Sequence, residues 1–244
     1  MKFSYVGVDG CKAGWFCVQL DDAENWAFDI VPDAIGLGKL SHDARLVLID
    51  IPIGLLSNGP VERACDKQAR KLLGKRASSV FPAPSRQTLN CNTYPEALEV
   101  NRATIGRGLS RQAWNIVPKI REIDMLITST PSLPGVLREC HPEVCFWALN
   151  NQQAMQYNKK KEQGIHERLD VLEPYFSPCR ELYDEALKTF LRKQLARDDI
   201  IDAMVAAVTA KYGVDQLMTI PGKPMQDNTG LPMEMVYWYE HRKQ

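Results

Sequence analysis

The chain has 244 residues, 45% hydrophobic and 25% charged, which excludes a disordered chain and indicates a protein with a buried core. Its 30 basic residues are balanced by 30 acidic residues, so any attraction for nucleic acid has to come from a local patch of positive charge. No apolar run approaches the roughly 18 residues of a membrane helix, and the opening MKFSYVGVDG has no signal-peptide pattern, so we expect a cytoplasmic protein with no membrane partner.

The first part of the chain predicts a sheet that begins with hairpins. Three apolar runs bounded by turn residues predict strands, at residues 3–8, 15–20 and 26–31. Residues 33–41 predict a short helix with Asp33 as its capping residue, and the continuous apolar run 45–51 predicts a strand covered on both faces. The order β-β-β-α-β therefore predicts an α/β fold whose mixed sheet has three antiparallel strands and then parallel strands, flanked by helices.

The middle of the chain is basic. Residues 61–122 contain twelve Lys or Arg and five Asp or Glu, a net charge of +7, in a helical pattern around a turn-rich loop at residues 78–95. We expect a helical basic insertion at residues 57–130, within a single domain that spans residues 1–244. This charge suits the backbone of a nucleic acid, and it is equally able to pair with acidic residues of the same molecule. The candidate nucleic-acid contacts are Lys71, Lys75, Arg76 and Arg86.

The remainder of the chain predicts mostly helices, which are enough to flank the sheet. The predicted helices lie at residues 110–126, from Pro142 onward, and at 164–172, 179–196 and 198–212. A strand is predicted at residues 136–140, and the apolar, aromatic segment 233–239 predicts an added strand.

Four acidic residues stand at the ends of predicted elements. Asp9 follows a strand in VGVDG, Asp50 closes another in LVLIDIP, and Asp199 and Asp202 lie three apart on one face of a helix in DDIIDA. Hard divalent cations take oxygen ligands, so strand-end carboxylates joined by a helical pair are what a Mg²⁺ or Mn²⁺ site on an α/β sheet requires. We therefore predict that these four residues are both the metal ligands and the catalytic residues.

Two of these acids also have structural explanations. Asp9 followed by Gly10 is a common hairpin-turn pair, although Gly14 already supplies a turn glycine. Asp50 lies between apolar neighbours, where a carboxylate has to be capped, paired or bound to a metal. The alternatives of a turn residue and a cap therefore stay open beside the metal site.

Glu139, Asp198 and His141 are candidates for an accessory role. The structural explanation for Asp198, and for Asp199 beside it, is that negative charge is favourable in the first turn of a helix. Glu139 could pair with a basic residue of the insertion, and His141 could be a structural histidine. The same first-turn explanation is weak for Asp202, because Asp202 is followed by the apolar run AMVAA.

Motifs spread from the N-terminus to about residue 210 resemble those of one protein family. They are VGVDGCKAGW, IDIPIGL, CDxxAR at 65–70, RxSSVFPAP at 76–84, ECHPE at 139–143 and DDIIDA at 198–203. With these motifs the chain resembles a family of uncharacterised proteins predicted to be ribonuclease H-like nucleases (DUF429-type). The β-β-β-α-β start is similar to the ribonuclease H-like fold. The D-x-x-D-A pattern of Asp199 to Ala203 is similar to the last helix of Holliday-junction resolvases.

The resemblance implies a metal-dependent nuclease that hydrolyses phosphodiester bonds in DNA or RNA. Asp9 would lie between two Mg²⁺ or Mn²⁺ ions, with Asp50 and either Asp199 or Asp202 completing their ligands. Two other functions stay open. Actin-like phosphotransferases begin with a similar strand and Asp-Gly turn, although they need two such domains. A catalytically degenerate ribonuclease H-like domain would serve only as a binding module.

Overall fold

A five-stranded mixed sheet forms the centre of the protein in the computed structural model, which describes residues 3–59 and 62–240. Its strands are β1 (Tyr5–Cys11), β2 (Gly14–Leu20), β3 (Trp26–Val31), β4 (Leu46–Ile49) and β5 (Leu137–Glu139). They lie in the order β3-β2-β1-β4-β5, in which β2 is antiparallel to β1 and β3, whereas β4 is parallel to β1 and β5. The predicted mixed α/β sheet, three antiparallel strands and then parallel strands, is confirmed.

Helices flank this sheet. They are α1 (Ala34–Asp43), α2 (Ala64–Leu73), α3 (Tyr94–Ile105), α4 (Arg111–Ser129), α5 (Pro142–Leu149), α6 (Glu162–Leu172), α7 (Cys179–Thr189) and α8 (Arg197–Gly213). Side-chain caps fix where several of them begin. The carboxylate of Asp33 accepts the N–H of Gly36 at 2.9 Å, as predicted for α1, and the hydroxyls of Thr93 and Ser110 cap α3 and α4 in the same way.

Side chains of β1 alternate between two hydrophobic cores, one on each face of the sheet. Val6 and Val8 face the core that α1 and α4 cover, whereas Tyr5 faces the core that α5, α6, α7 and α8 cover. The neighbouring strand β4 alternates in the same way, with Val47 on the α4 side and Leu48 on the α8 side. Burial on both faces explains why β4 is apolar throughout.

Helix α8 packs closely against β1, and a glycine makes this contact possible. A side chain at Gly7 would place its Cβ 2.0 Å from the backbone oxygen of Ala203 and 2.2 Å from the backbone nitrogen of Ala207. Residues Ile200 to Ala210 of α8 are all buried, so the helix is held against the centre of the sheet. The contact brings the first turns of α8 close to the end of β1.

A two-stranded hairpin follows α8. Its strands β6 (Met218–Gln226) and β7 (Pro232–Tyr237) pair antiparallel, and Val236 forms a bridge with Cys140, directly after β5. The segment predicted at residues 233–239 is therefore a strand, but its ladder is with β6 and not with the main sheet. The sequence did not predict β6, because the two prolines and the glycine of MTIPGKPMQ are unfavourable in a strand interior.

Two further predictions need correction. β1 does not end at Val8; it continues to Cys11, because Asp9 pairs with Phe16 in the ladder with β2. Helix α7 ends at Thr189 and not at residue 196, since the backbone turns at Leu191, whose carbonyl accepts the N–H of Gln194. Helix α3 was not predicted as a separate element.

The predicted basic insertion is helical where the structure describes it. Residues 57–59 and 62–130 contain α2, α3, α4 and two short 3-10 segments, and these described residues contain no strand. Val61, the first residue of the predicted basic segment, lies outside the described residues, as do both ends of the predicted domain 1–244. It remains a prediction that the insertion and the sheet form a single domain. No described helix is long and apolar enough to cross a membrane.

Candidate metal centre

Asp9 and Asp50 lie side by side on neighbouring parallel strands. The register pairs Val8 with Ile49, and the N–H of Asp50 donates to the carbonyl of Val8 at 3.1 Å. Alternation along β1 places Asp9 on the same face as Gly7, where α8 packs. Since Asp9 is paired inside the β1–β2 ladder, the hairpin-turn explanation for Asp9 is wrong.

Helix α8 brings the other two predicted ligands to the same place. Asp202 is only 2% exposed, and Asp199 lies one turn earlier on the same helix face. The Asp199 carboxylate accepts the N–H of Ala196 at 2.9 Å, so Asp199 and not Asp198 caps the helix start. We call Asp9, Asp50, Asp199 and Asp202 the aspartate cluster.

The pKa values of these acids show that they act on one another. Burial raises the pKa of Asp9 well above its usual range, and the charges of Asp202, Asp50 and Asp199 raise it further. Burial raises the pKa of Asp202 to about 7 and that of Asp199 to about 6. Buried carboxylates that repel one another either keep protons or bind a cation. The four predicted acids therefore form one electrostatic unit.

Lys159, which the sequence analysis missed, supplies positive charge to this unit. Its ammonium donates a hydrogen bond to Oδ2 of Asp202. Burial alone would lower the pKa of Lys159, but the charges of Asp202, Asp9 and Asp50 outweigh burial and raise it, so the side chain stays cationic. Lys159 opens a run of three lysines, and nothing in that run distinguishes it from its solvated neighbours.

Several carboxylate oxygens of the cluster have no donor among the described residues. Oδ1 of Asp202 is buried without a partner, and the Asp50 carboxylate accepts no hydrogen bond from a described residue. Asp9 accepts one, from the N–H of Gly10 at 2.8 Å. Open carboxylate oxygens fit Mg²⁺ or Mn²⁺. Even so, within residues 3–59 and 62–240 no three His, Cys, Asp or Glu side chains are already arranged around one metal position.

Glu143 is a further acid beside the aspartate cluster that the sequence analysis did not count as a site residue. Its Oε1 accepts a hydrogen bond from Arg168 at 2.5 Å, whereas its buried Oε2 has no partner among the described residues. The charge of Glu143 also raises the pKa of Asp202. The helix predicted from Pro142 onward is confirmed as α5, and Glu143 lies in its first turn. The approach of Glu143 to Asp202 depends on how α5 packs against α8.

Glu139 belongs to a second group of buried charges, in which the partners satisfy one another. Arg63 donates to both oxygens of Glu139, at 2.7 and 2.8 Å, and to Oδ1 of Asp66 at 2.6 Å. The backbone N–H groups of Ile53 and Ala83 donate to Glu139 and Asp66 at 2.6 and 2.9 Å. Burial raises the pKa of Glu139 to about 7, against the opposing charge of Arg63. Glu139 therefore pairs with a basic residue of the insertion, and we call Arg63, Asp66 and Glu139 the arginine cluster.

Residues of both clusters line one cleft of about 310 Å³. The three accessory candidates, Glu139, Asp198 and His141, all lie in its wall. His141 Nε2 is 3.4 Å from the carbonyl oxygen of Ser79, and its Nδ1 is buried with no partner among the described residues. Lys119, on helix α4, also lines the cleft. Its ammonium donates a hydrogen bond to the carbonyl of Gly14 at 2.6 Å. The cleft therefore has carboxylates with lysines beside them.

Two of the four predicted nucleic-acid contacts hold the fold together. Arg86 donates to Asp124 and Asp227 at 2.8 and 2.5 Å, and the Arg76 guanidinium donates to the carbonyl of Met155 at 2.9 Å. For Arg86 the alternative of pairing with acidic residues of the same molecule describes the structure. Arg76 makes one hydrogen bond, to a neutral carbonyl, so its phosphate contact stays a prediction. Sequence reasoning could not separate the two roles, because the acceptors lie far away along the chain.

The other two predicted contacts are exposed. Lys71 lies on the outer face of α2, and Lys75 lies in the 3-10 segment that follows it. Neither forms an ion pair with a described residue. Lys71 and Lys75 therefore remain free to meet an anionic ligand.

Taken together, the fold and the cleft define an α/β protein with an open group of carboxylates on β1, directly after β4 and on α8. The family model described as "Protein of unknown function (DUF429)" matches residues 7–226, so the chain belongs to this family. The match includes the whole aspartate cluster. A search of the curated proteins found no match, and a search of the solved structures found none.

Proposed function

We propose that this protein has a ribonuclease H-like fold and is a divalent-metal-dependent nuclease that hydrolyses phosphodiester bonds in DNA or RNA. The aspartate cluster carries the proposal. Asp9 and Asp50 lie on neighbouring strands and face α8, which supplies Asp202 with one buried, unpartnered oxygen. The order β3-β2-β1-β4-β5, with acids on β1, after β4 and on a late helix, supports the fold assignment.

Mg²⁺ or Mn²⁺ would be held by Asp50, Oδ1 of Asp202 and the Asp9 oxygen that does not accept the Gly10 N–H. A divalent ion bound there supplies a water of lowered pKa and positive charge beside the scissile phosphate. Asp199 is a positioning residue, because one of its oxygens caps α8 and so fixes the helix that carries Asp202. Lys119 places a cationic side chain on the same cleft, where the anionic backbone of a substrate has to lie.

The basic surface gives independent but smaller support for a nucleic-acid substrate. Lys71 and Lys75 are exposed and unpaired with described residues, so they are available to phosphate groups. An actin-like phosphotransferase would enclose its nucleotide between two such domains. The described residues form one five-stranded sheet and one two-stranded hairpin, which supports the nuclease over this alternative.

Cleavage of branched, hybrid and single-stranded substrates in Mg²⁺ or Mn²⁺ tests the proposal. We expect the wild type to cleave at least one of them and Asp9→Asn to lose this activity by orders of magnitude. Asparagine keeps the acceptor for the Gly10 N–H but removes the charge that binds a metal, so substrate binding should persist. Asp29→Asn, on the exposed outer strand β3 of the same sheet, is the matched control and should cleave like the wild type.

Three outcomes would contradict the nuclease. Binding without cleavage, unchanged in Asp9→Asn, would identify a binding module. ATP consumption with a sugar or acyl acceptor would identify a phosphotransferase. Turnover of neither nucleic acid nor ATP would leave the proposed activity without support.

A further inference from the structure

A lysine already occupies a cation position inside the aspartate cluster. The Lys159 ammonium donates to Oδ2 of Asp202 and also acts on the charges of Asp9 and Asp50. These three carboxylates are the ones that the proposed function assigns to the metal. The lysine and a metal ion would therefore share one carboxylate, that of Asp202, and act on the same group of charges.

The fold holds Lys159 at this position. Before the start of α6, the Asn158 side chain accepts the N–H of Lys160 and the Asn158 carbonyl accepts the N–H of Lys161, both at 2.9 Å. The helix then passes close to the same carbonyl, because a Cβ on Gly164 would lie 2.1 Å from the Asn158 oxygen. The backbone on both sides of Lys159 is thus fixed by tight local contacts.

The loop before Lys159 is also tied to the rest of the molecule. The Glu167 carboxylate accepts the N–H groups of Gln156 and Tyr157 at 2.7 and 3.0 Å. The Met155 carbonyl accepts a hydrogen bond from Arg76 of the basic segment. Contacts from the following helix α6 and from the distant basic segment therefore set the direction of this loop, and Lys159 is not a flexible surface lysine.

The distribution of oxygens and charge leaves room for one metal ion beside the lysine. Lys159 takes Oδ2 of Asp202, which leaves the buried Oδ1 open. Asp199 already caps its own helix. The four aspartates of the cluster carry −4 when all are ionised, because a hydrogen bond to the start of α8 leaves the charge of Asp199 in place. Lys159 and one divalent ion together supply +3 and leave a net charge of −1. A second divalent ion would reverse the net charge to +1, and it would find Oδ2 of Asp202 already occupied by Lys159.

We propose that Lys159 is a resident cation that takes the place of a second metal ion, so that the cluster binds one divalent ion. Asp202 would then serve both cations, with its Oδ2 on Lys159 and its open Oδ1 available to the metal. This inference rests on the metal site of the proposed function, and it replaces the two ions that the family resemblance implies by one ion and one lysine.

Calorimetric titration of the full-length protein with Mn²⁺ tests the inference. We expect one ion per chain for the wild type and two for Lys159→Met. This substitution removes the positive charge from the second cation position and keeps a side chain of similar size. Lys161→Met is the matched control, because Lys161 is exposed and does not line the cleft, and it should bind one ion. Two ions in the wild type, or the wild-type stoichiometry in Lys159→Met, would overturn the inference and leave the proposed metal site intact. No binding by any of the three proteins would overturn the metal site itself.

Melting temperatures separate a resident cation from a lysine that is only structural. In metal-free buffer, Lys159→Met should melt below the wild type, and Mn²⁺ should raise its melting temperature more than that of the wild type, because the ion replaces the lost charge. Lys159→Arg keeps the charge and should behave like the wild type in both buffers. A lowered melting temperature of Lys159→Met that Mn²⁺ does not raise again would contradict the inference.

Discussion

Two groups of charged residues meet at one cleft, which is lined by Asp9 and Asp50 of the aspartate cluster and by all three residues of the arginine cluster. The two groups differ in how completely their members are paired. In the arginine cluster, Arg63 donates to both Glu139 oxygens and to Asp66, and backbone N–H groups complete the set. In the aspartate cluster, Asp202 keeps a buried oxygen without a donor, and Asp50 accepts no hydrogen bond from a described residue. Asp9 and Asp202 are buried like the three members of the arginine cluster, whereas Asp50 and Asp199 are half-buried. Burial therefore does not explain why the buried Asp202 keeps an open oxygen and the buried Glu139 does not.

The difference in pairing indicates two different roles. A buried polar group is normally hydrogen-bonded, and a fully paired network joins the segments that contribute its members. The arginine cluster joins the start of α2 to β5 in this way. A buried carboxylate that keeps an open oxygen indicates that a ligand supplies the missing partner. The first two of the following predictions each change one cluster and leave the other intact, and the third changes neither.

The largest effect on stability is expected from Arg63→Met. This substitution leaves the carboxylates of Asp66 and Glu139 buried without their partner, which costs about 3–5 kcal/mol of the free energy of unfolding. Urea denaturation measures the loss, and Mn²⁺ should not restore it, because the aspartate cluster is unchanged. Arg102→Met, at an exposed basic position of the same segment, is the control and should change the free energy of unfolding by less than about 0.5 kcal/mol. A loss of comparable size in both variants would contradict a structural role for the arginine cluster.

A smaller effect is expected in the pH dependence of stability. Folding raises the pKa of Asp9 and raises that of Asp202 to about 7, above the unfolded values near 4. Between about pH 4 and pH 7 the folded protein therefore holds protons that the unfolded chain has released, so these groups make stability fall as the pH rises. In metal-free buffer, this fall should be smaller in Asp9→Asn than in the wild type. Denaturation curves at several pH values measure it, and identical pH profiles would contradict mutual repulsion in the cluster.

The smallest effect is expected on the basic surface. Replacing Lys71 and Lys75 by Ala should weaken nucleic-acid binding and reduce its salt dependence by about one unit of log–log slope for each lost phosphate contact. Arg86→Met should instead lower the free energy of unfolding and leave the salt slope unchanged, because Arg86 is paired internally with Asp124 and Asp227. Binding titrations at several salt concentrations distinguish the two results. An unchanged slope in the double lysine variant would show that the exposed lysines are not phosphate contacts.

Local patterns in the sequence were sufficient to predict the sheet and the aspartate cluster. Apolar runs mark β1 and β4, and a carboxylate at their ends or three apart on a helix can be seen without the fold. Lys159 and Glu143 could not be predicted, because their approach to Asp202 depends on the loop before α6 and on how α5 packs against α8. The same limit applies to Arg86, whose acceptors come from α4 and from the turn after β6.

The melting temperature of the wild type with and without millimolar Mn²⁺ tests the central claim most directly. If the aspartate cluster is open because a metal completes it, binding should stabilise the folded state, by about 1.4 kcal/mol when Mn²⁺ is at ten times its dissociation constant. Asp50→Asn, which removes a carboxylate without a hydrogen-bond donor among the described residues, should lose this stabilisation. The account predicts a raised melting temperature for the wild type and a much smaller rise for Asp50→Asn. An unchanged wild-type melting temperature at millimolar Mn²⁺ would contradict it.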